Sequence, residues 1–239
     1  MVNSEKKLTL NTTGQNVARY LLNIGAINFS PRTPYILTAG WASPDYIDCR
    51  KVISHITERR AILNLAIDLI NEKISEYDLV AGGETAGIPY AAWVSDLVSK
   101  PMLYIRKKPK GFARMSQIEG DLKKNDRVLL VEDLATDGGS KVVFVNALRE
   151  AGAIVNALFV IFYYGVFPGT KQNMNKLNVK LHYLCDWWDV LEVAKNDSLF
   201  TAESIDQVQE FLENPTNWSK KNGGIKNYGI VGVQLVKFA

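Results

Sequence analysis

Glu132 and Asp133 stand side by side at the end of the apolar run Val128-Leu129-Leu130-Val131. Leu134-Ala135-Thr136-Asp137-Gly138-Gly139-Ser140 follows them as a small, hydroxyl- and glycine-rich loop. Carboxylates accept hydrogen bonds from sugar hydroxyls. The backbone N–H groups of such a loop, with a helix N-terminus behind them, cradle an anion. Acids one short loop from a phosphate cradle suit a ribose 5-phosphate. A hairpin is the competing reading of Asp137-Gly138-Gly139, but Val142, Val145 and Leu148 continue at helical spacing. Adjacent acids on a strand face opposite ways, so one ligand touching both needs the chain to curl at Asp133. The pattern is neither a dinucleotide-binding G-x-G-x-x-G nor a G-x-x-x-x-G-K-[ST] loop.

Two more segments carry chemistry. Arg106-Lys107-Lys108-Pro109-Lys110-Gly111-Phe112-Ala113-Arg114 holds five cations in nine residues, with no acid before Glu119. Such a run is either a solvated face or a loop that closes over a pyrophosphate and excludes water. Gly82-Gly83-Glu84-Thr85-Ala86-Gly87 supplies successive N–H groups one strand–helix–strand unit earlier. His55 and His182 stand alone and suggest no metal set, and Trp187-Trp188 reads as core or interface. No protein side chains are assigned to a metal.

These segments need a scaffold that presents them together. Apolar strands predicted at 77–81, 102–105, 128–131 and 154–163 alternate with helices over 88–98 and 140–151, the latter stopped by Gly152. That alternation predicts an α/β fold with a central, mostly parallel sheet and right-handed crossovers. Ligands then bind at the carboxyl ends of the strands, where both glycine-rich loops fall. A helical lead-in (Val17, Tyr20, Leu21, Ile24) stops at Gly25, short β segments follow at 35–37 and 46–47, and a helix is expected over 56–70. Beyond Pro168-Gly169 the pattern predicts a strand at 179–185, a helix at 201–212 capped by Thr201, and a β-like tail around 230–236.

The 239 residues suit a single domain, with 1–50 as a small N-terminal hood, 51–190 as the α/β core and 191–239 as a C-terminal extension. A net charge of +3 is too mild to imply nucleic acid, and no apolar run is long enough for a membrane span. Cys49 and Cys185 are expected as buried thiols in a cytoplasmic protein.

In this order the three segments resemble the type I phosphoribosyltransferases, and the flanks narrow the likeness to the orotate phosphoribosyltransferases. Ser43-Pro44-Asp45-Tyr46-Ile47-Asp48-Cys49-Arg50 is similar to that family's S-P-x-Y-x-D-x-R segment. The resemblance implies transfer of the 5-phosphoribosyl group from phosphoribosyl pyrophosphate (PRPP) to orotate, giving orotidine 5′-monophosphate. It implies that Glu132 and Asp133 hold the ribose hydroxyls, and that Leu134, Ala135, Thr136, Asp137, Gly138, Gly139 and Ser140 complete the PRPP site. Arg106, Lys107 and Lys110 would neutralise the pyrophosphate together with Mg²⁺, and with Asp133 they are the catalytic set. Tyr46, Ile47, Thr136 and Tyr163 would touch the base. A homodimer sharing its basic loop is also implied. Departures fall on the acceptor side: Thr38 and Tyr163 replace an expected Lys and Arg, and Phe112 replaces a loop His. Another nucleobase as acceptor, or a non-catalytic PRPP-sensing regulator, remains the alternative.

Overall fold

A computed structural model describes residues 12–37, 40–74, 76–109, 117–136 and 138–225. The first helix, α1 (Thr13–Asn23), begins at a reciprocal cap in which Thr12 and Gln15 each bond the other's backbone N–H. It buries Val17, Ala18 and Leu21 and stops before Gly25, whose φ of +64° suits glycine. Two small antiparallel ribbons follow. One pairs β1 (Ile27–Phe29) with β4 (Asp45–Ile47), and the other pairs β2 (Tyr35–Ile36) with β3 (Ala42–Ser43). A 3-10 turn (Cys49–Ser54) leads into α2 (Ile56–Lys73).

The core sheet is built from β5 (Leu79–Gly83), β6 (Met102–Ile105), β7 (Ile118–Glu119), β8 (Arg127–Ala135), β9 (Ile154–Tyr163) and β10 (Lys180–Asp186). Its order is β10-β9-β8-β5-β6-β7, parallel except where β7 joins the edge antiparallel to β6. Connections run through α3 (Gly87–Leu97), α4 (Gly139–Glu150) and α5 (Pro168–Lys176). Helices cover both faces, so the central strands are apolar throughout rather than alternating. Leu129 and Val131 pack on one face with Ile62, Phe159 and Trp187, and Leu130 packs on the other with Phe144, Leu148 and Leu158. The chain closes with α6 (Trp187–Asn196), α7 (Ala202–Glu213) and α8 (Pro215–Lys221).

Two strands run further than the apolar pattern predicts, because pairing continues where hydrophobicity stops. Gly82 and Gly83 stay in register with Tyr104 and Ile105, which moves the expected 77–81 strand to 79–83. The expected 128–131 strand continues to Ala135, since Leu134 and Ala135 pair with Phe162 and Tyr163. Both acids therefore lie within β8, and the expected curl at Asp133 does not occur. Helices α5, α6 and α8, strands β1, β3 and β7 and the 3-10 turn are additions to the sequence reading. Trp187 is fully buried, whereas Trp188 is exposed. The β-like 230–236 tail lies outside the described residues.

Candidate functional site

The carboxyl ends of β5 and β8 open beneath the hood ribbons onto a cavity of about 660 Å³. Asp133, Leu134, Thr136, Gly139 and Ser140 form one wall, and Ala86 and Lys107 stand at a second. The third is apolar and hood-derived: Leu37, Trp41, Tyr46 and Ile47, with Tyr164 and Phe167 beside them.

On the first wall β8 delivers the acids and α4 delivers its N-terminus. Gly138 caps that helix at φ +78° and has no side chain of its own to serve as a cap. Gly139 and Ser140 at the same helix end line the cavity, an arrangement that favours an anion. The loop is backed by α5: the Thr170 hydroxyl donates to the Thr136 carbonyl, and a Cβ on Gly138 would crowd Thr170. Asp137 lies outside the described residues.

The extended backbone sends the two acids apart. Asp133 faces the cavity, its carboxyl raised by burial and partly offset by Lys141. Glu132 turns inward, 4% exposed, where Lys141 Nζ donates to its Oε2 at 2.6 Å. Burial pushes the Glu132 carboxyl up to about 7, against the pull of the Lys141 ammonium. Lys141 Nζ also reaches Ser140 Oγ at 3.3 Å, so one buried cation ties the acid strand to the phosphate-side loop. A Cβ on Gly83 or Gly87 would collide with Glu132 Oε1, which is why glycine is needed at both. Ala135 is buried and outside the lining.

Of the basic run, Lys107 lines the cavity, and its backbone N–H donates to Glu84 Oε2 at 2.8 Å. The glycine-rich loop thus holds the start of the basic loop. Arg106 instead pairs with Glu119 at 2.9 Å and lies over Tyr104. Lys110 lies outside the described residues. On the acceptor side Tyr46 and Ile47 line the cavity as expected, but Tyr163 does not. It packs on Tyr183, with ring centroids 5.1 Å apart, and the next residue, Tyr164, lines the cavity. Neighbouring positions at a strand end face opposite ways, so the expected contact shifts by one residue.

Sequence reasoning missed Trp41, Phe167 and the Asp48–Arg50 pair (2.6 Å). The Ser43–Arg50 segment was the available signal for that pair, since both acid and cation belong to it. Tyr90 Oη secures the segment by donating to the Cys49 carbonyl at 2.7 Å. Cys49 and Cys185 are free and buried. Among the described residues, no three His, Cys, Asp or Glu side chains are arranged to hold a metal ion, and no helix is long and apolar enough to cross a membrane.

No protein-family model matches the chain. An orotate phosphoribosyltransferase of Ruegeria sp. is 49% identical over 207 residues, covering 86% of this chain and 92% of that one. One from Allorhizobium ampelinum is 43% identical over 215 residues, 89% of this chain and 94% of the relative. Among solved structures, orotate phosphoribosyltransferase from Aeropyrum pernix superposes with a TM-score of 0.64 at 27% identity, covering 74% of this chain and 97% of that one. UMP synthase of Leishmania donovani reaches a TM-score of 0.72 at 26% identity, covering 84% of this chain and 42% of that one. With Asp133 of the acid pair, the start of α4 and Lys107 of the basic run at one cavity of an α/β scaffold, these likenesses make the chain a member of the orotate phosphoribosyltransferase family.

Proposed function

We propose that this chain transfers the 5-phosphoribosyl group of PRPP to orotate, releasing pyrophosphate and forming orotidine 5′-monophosphate for pyrimidine nucleotide synthesis. The observation that carries the reading is the wall on which Asp133, Thr136, Gly139 and Ser140 meet the N-terminus of α4. It offers a carboxylate to a sugar and a helix end to a phosphate, the two halves of a ribose 5-phosphate.

In the reaction, the bond from orotate N1 to ribose C1 forms as the C1–oxygen bond to pyrophosphate breaks, and the bonding pair departs on pyrophosphate. Positive character builds on the sugar and negative charge on the leaving group. Asp133 accepts from the ribose hydroxyls and tolerates the positive character. Glu132 serves the sugar less directly: held by Lys141, it fixes the strand from which Asp133 projects. Leu134 to Ser140 wrap the 5-phosphate, with Ala135 and Gly138 shaping the backbone. Lys107 and Lys110, joined by Arg106 once it leaves Glu119, form the cationic clamp on the pyrophosphate, set where charge develops. Closure of the basic loop excludes water from the activated sugar. Tyr46, Ile47, Thr136 and Tyr164 face the base.

Mg²⁺ belongs to this reading as a companion of PRPP, neutralising phosphate oxygens when bound. Two carboxylates line the cavity; with Asp48 paired to Arg50, Asp133 and the neighbouring hydroxyls suit an ion held chiefly by substrate and water. The reading also includes a homodimer whose basic loop reaches the neighbouring site, a cytoplasmic location in keeping with two free thiols, and one domain made of hood, core and extension.

Pyrophosphate release from PRPP with Mg²⁺, followed for orotate beside uracil and purine bases, tests the proposal. Orotate-dependent turnover is expected. Turnover with another base alone would reassign the acceptor, and no turnover with any base would leave a PRPP-binding regulator.

A further inference from the structure

The cavity's apolar wall is held from outside the α/β core. Ala42 lies in β3, next to Trp41 of the cavity, and its buried N–H donates to Ser219 Oγ of α8 at 3.1 Å. Ser219 Oγ in turn donates to the Ile225 carbonyl at 3.0 Å, and the Ile225 N–H donates to the Gly40 carbonyl at 3.0 Å. One hydroxyl therefore joins the hood turn to the segment that follows α8. Space is equally tight: a Cβ on Gly224 would collide with the Ala42 nitrogen and with Ser219 Oγ.

An aromatic chain makes the same connection independently. Trp218 of α8 meets Phe211 of α7 at 5.6 Å between centroids, and Phe211 meets Phe167 at 6.4 Å. Phe167 then meets both Trp41 at 5.4 Å and Tyr164 at 5.6 Å, all three lining the cavity. Trp218 and Phe211 are fully buried, so the stack is well packed rather than incidental.

We infer that α7, α8 and the turn to Ile225 are a brace that sets the acceptor-base wall, with Ser219 as its positioning residue. The inference rests on the reading of this cavity as a site for a base joined to ribose 5-phosphate. Short hood ribbons of two or three residues do not hold themselves in place. The donor wall, by contrast, is built from β8 and the start of α4 and is backed by α5.

The test compares binding of orotidine 5′-monophosphate with binding of ribose 5-phosphate by titration calorimetry, using the full chain. The ratio of the two affinities isolates the base. Ser219→Ala removes the hydroxyl, and Gly224→Ala pushes the same joint apart while keeping the hydroxyl. Each is expected to lower the ratio by about five-fold, the scale of one lost hydrogen bond. Ribose 5-phosphate affinity stays within two-fold, and the KM for orotate rises while that for PRPP does not. An unchanged ratio in both variants overturns the brace, as does a proportional loss for both ligands, which marks general loosening. If the unsubstituted protein binds both ligands equally, the base-site reading itself fails, and the brace with it.

Discussion

The donor and acceptor walls of this cavity are built in opposite ways. The donor wall comes from one continuous segment, β8 through the first turn of α4, embedded in a sheet whose strands are buried on both faces. The acceptor wall is gathered from the hood, from the residues after β9 and, through the brace, from the last described helices. The part that grips the ribose phosphate sits on rigid, locally encoded backbone. Parts that shape themselves to a flat base are assembled over long chain distances, where single contacts carry more of the positioning.

The largest expected effect strikes the donor wall's foundation. Lys141→Met leaves the Glu132 carboxylate buried without its cation, a loss of about 3–5 kcal/mol when one member of a buried pair is removed. Thermal unfolding at pH 8 reads it. The loss shrinks at pH 6, where the Glu132 carboxyl, already raised to about 7, takes up a proton instead. Adding Glu132→Gln should recover much of the stability; failure to recover it would place the role of Lys141 elsewhere.

Next comes Lys110→Ala in the basic loop. It should cut kcat on the order of 10²-fold with a smaller change in the KM for PRPP, the pattern of a contact made mainly in the transition state. Near-normal kcat would remove Lys110 from the clamp.

The acceptor side has its own buried charge. Asp45 is fully buried, accepts from the Ser43 hydroxyl at 2.8 Å, and is pushed by burial up to about 7. Its folded form thus holds a proton through a range in which the unfolded chain has lost it. Its contribution to stability declines as pH rises from about 4 to about 7 and is lowest above that. Asp45→Asn should therefore gain stability over the unsubstituted protein at pH 8, with little difference at pH 4, in paired melting curves. A constant offset across that range would show that Asp45 does not titrate with folding.

The smallest effect concerns Arg32–Glu203, which also joins the hood to α7, but with side chains 81% and 58% exposed. Screened by water, this pair should not position anything. Arg32→Ala should leave both the melting temperature and the ligand ratio unchanged. A fall in the ratio would mean that surface contacts share the brace's work.

The same contrast decides what could be read from the sequence. Val128 to Ser140 announced its chemistry because strand, acids, loop and helix start are contiguous, and local pattern suffices for each. Strands β6 and β9 were legible to the residue for the same reason: apolar runs bounded by charge or turn residues. The inward turn of Glu132 was not, since it depends on β8 staying paired with β9 through Ala135. Nor was Tyr164 in place of Tyr163, a matter of one residue's facing. Trp41, Phe167 and Ser219 carry no motif at all. Their roles come from packing between segments more than a hundred residues apart, which spacing along the chain does not report.

Glu132 Oε1 occupies the place that a Cβ on either Gly83 or Gly87 would need. These three positions, drawn from two strands and a helix start, form an interlocked set in which neither glycine grows alone. In a lineage of such proteins, a larger residue at 83 requires that both the acid at 132 and the Phe144 ring give way, and one at 87 that both the acid and the Val131 carbonyl do. The order in which substitutions can be accepted is thereby constrained, and the glycines act as a latch on the history of the acid pair.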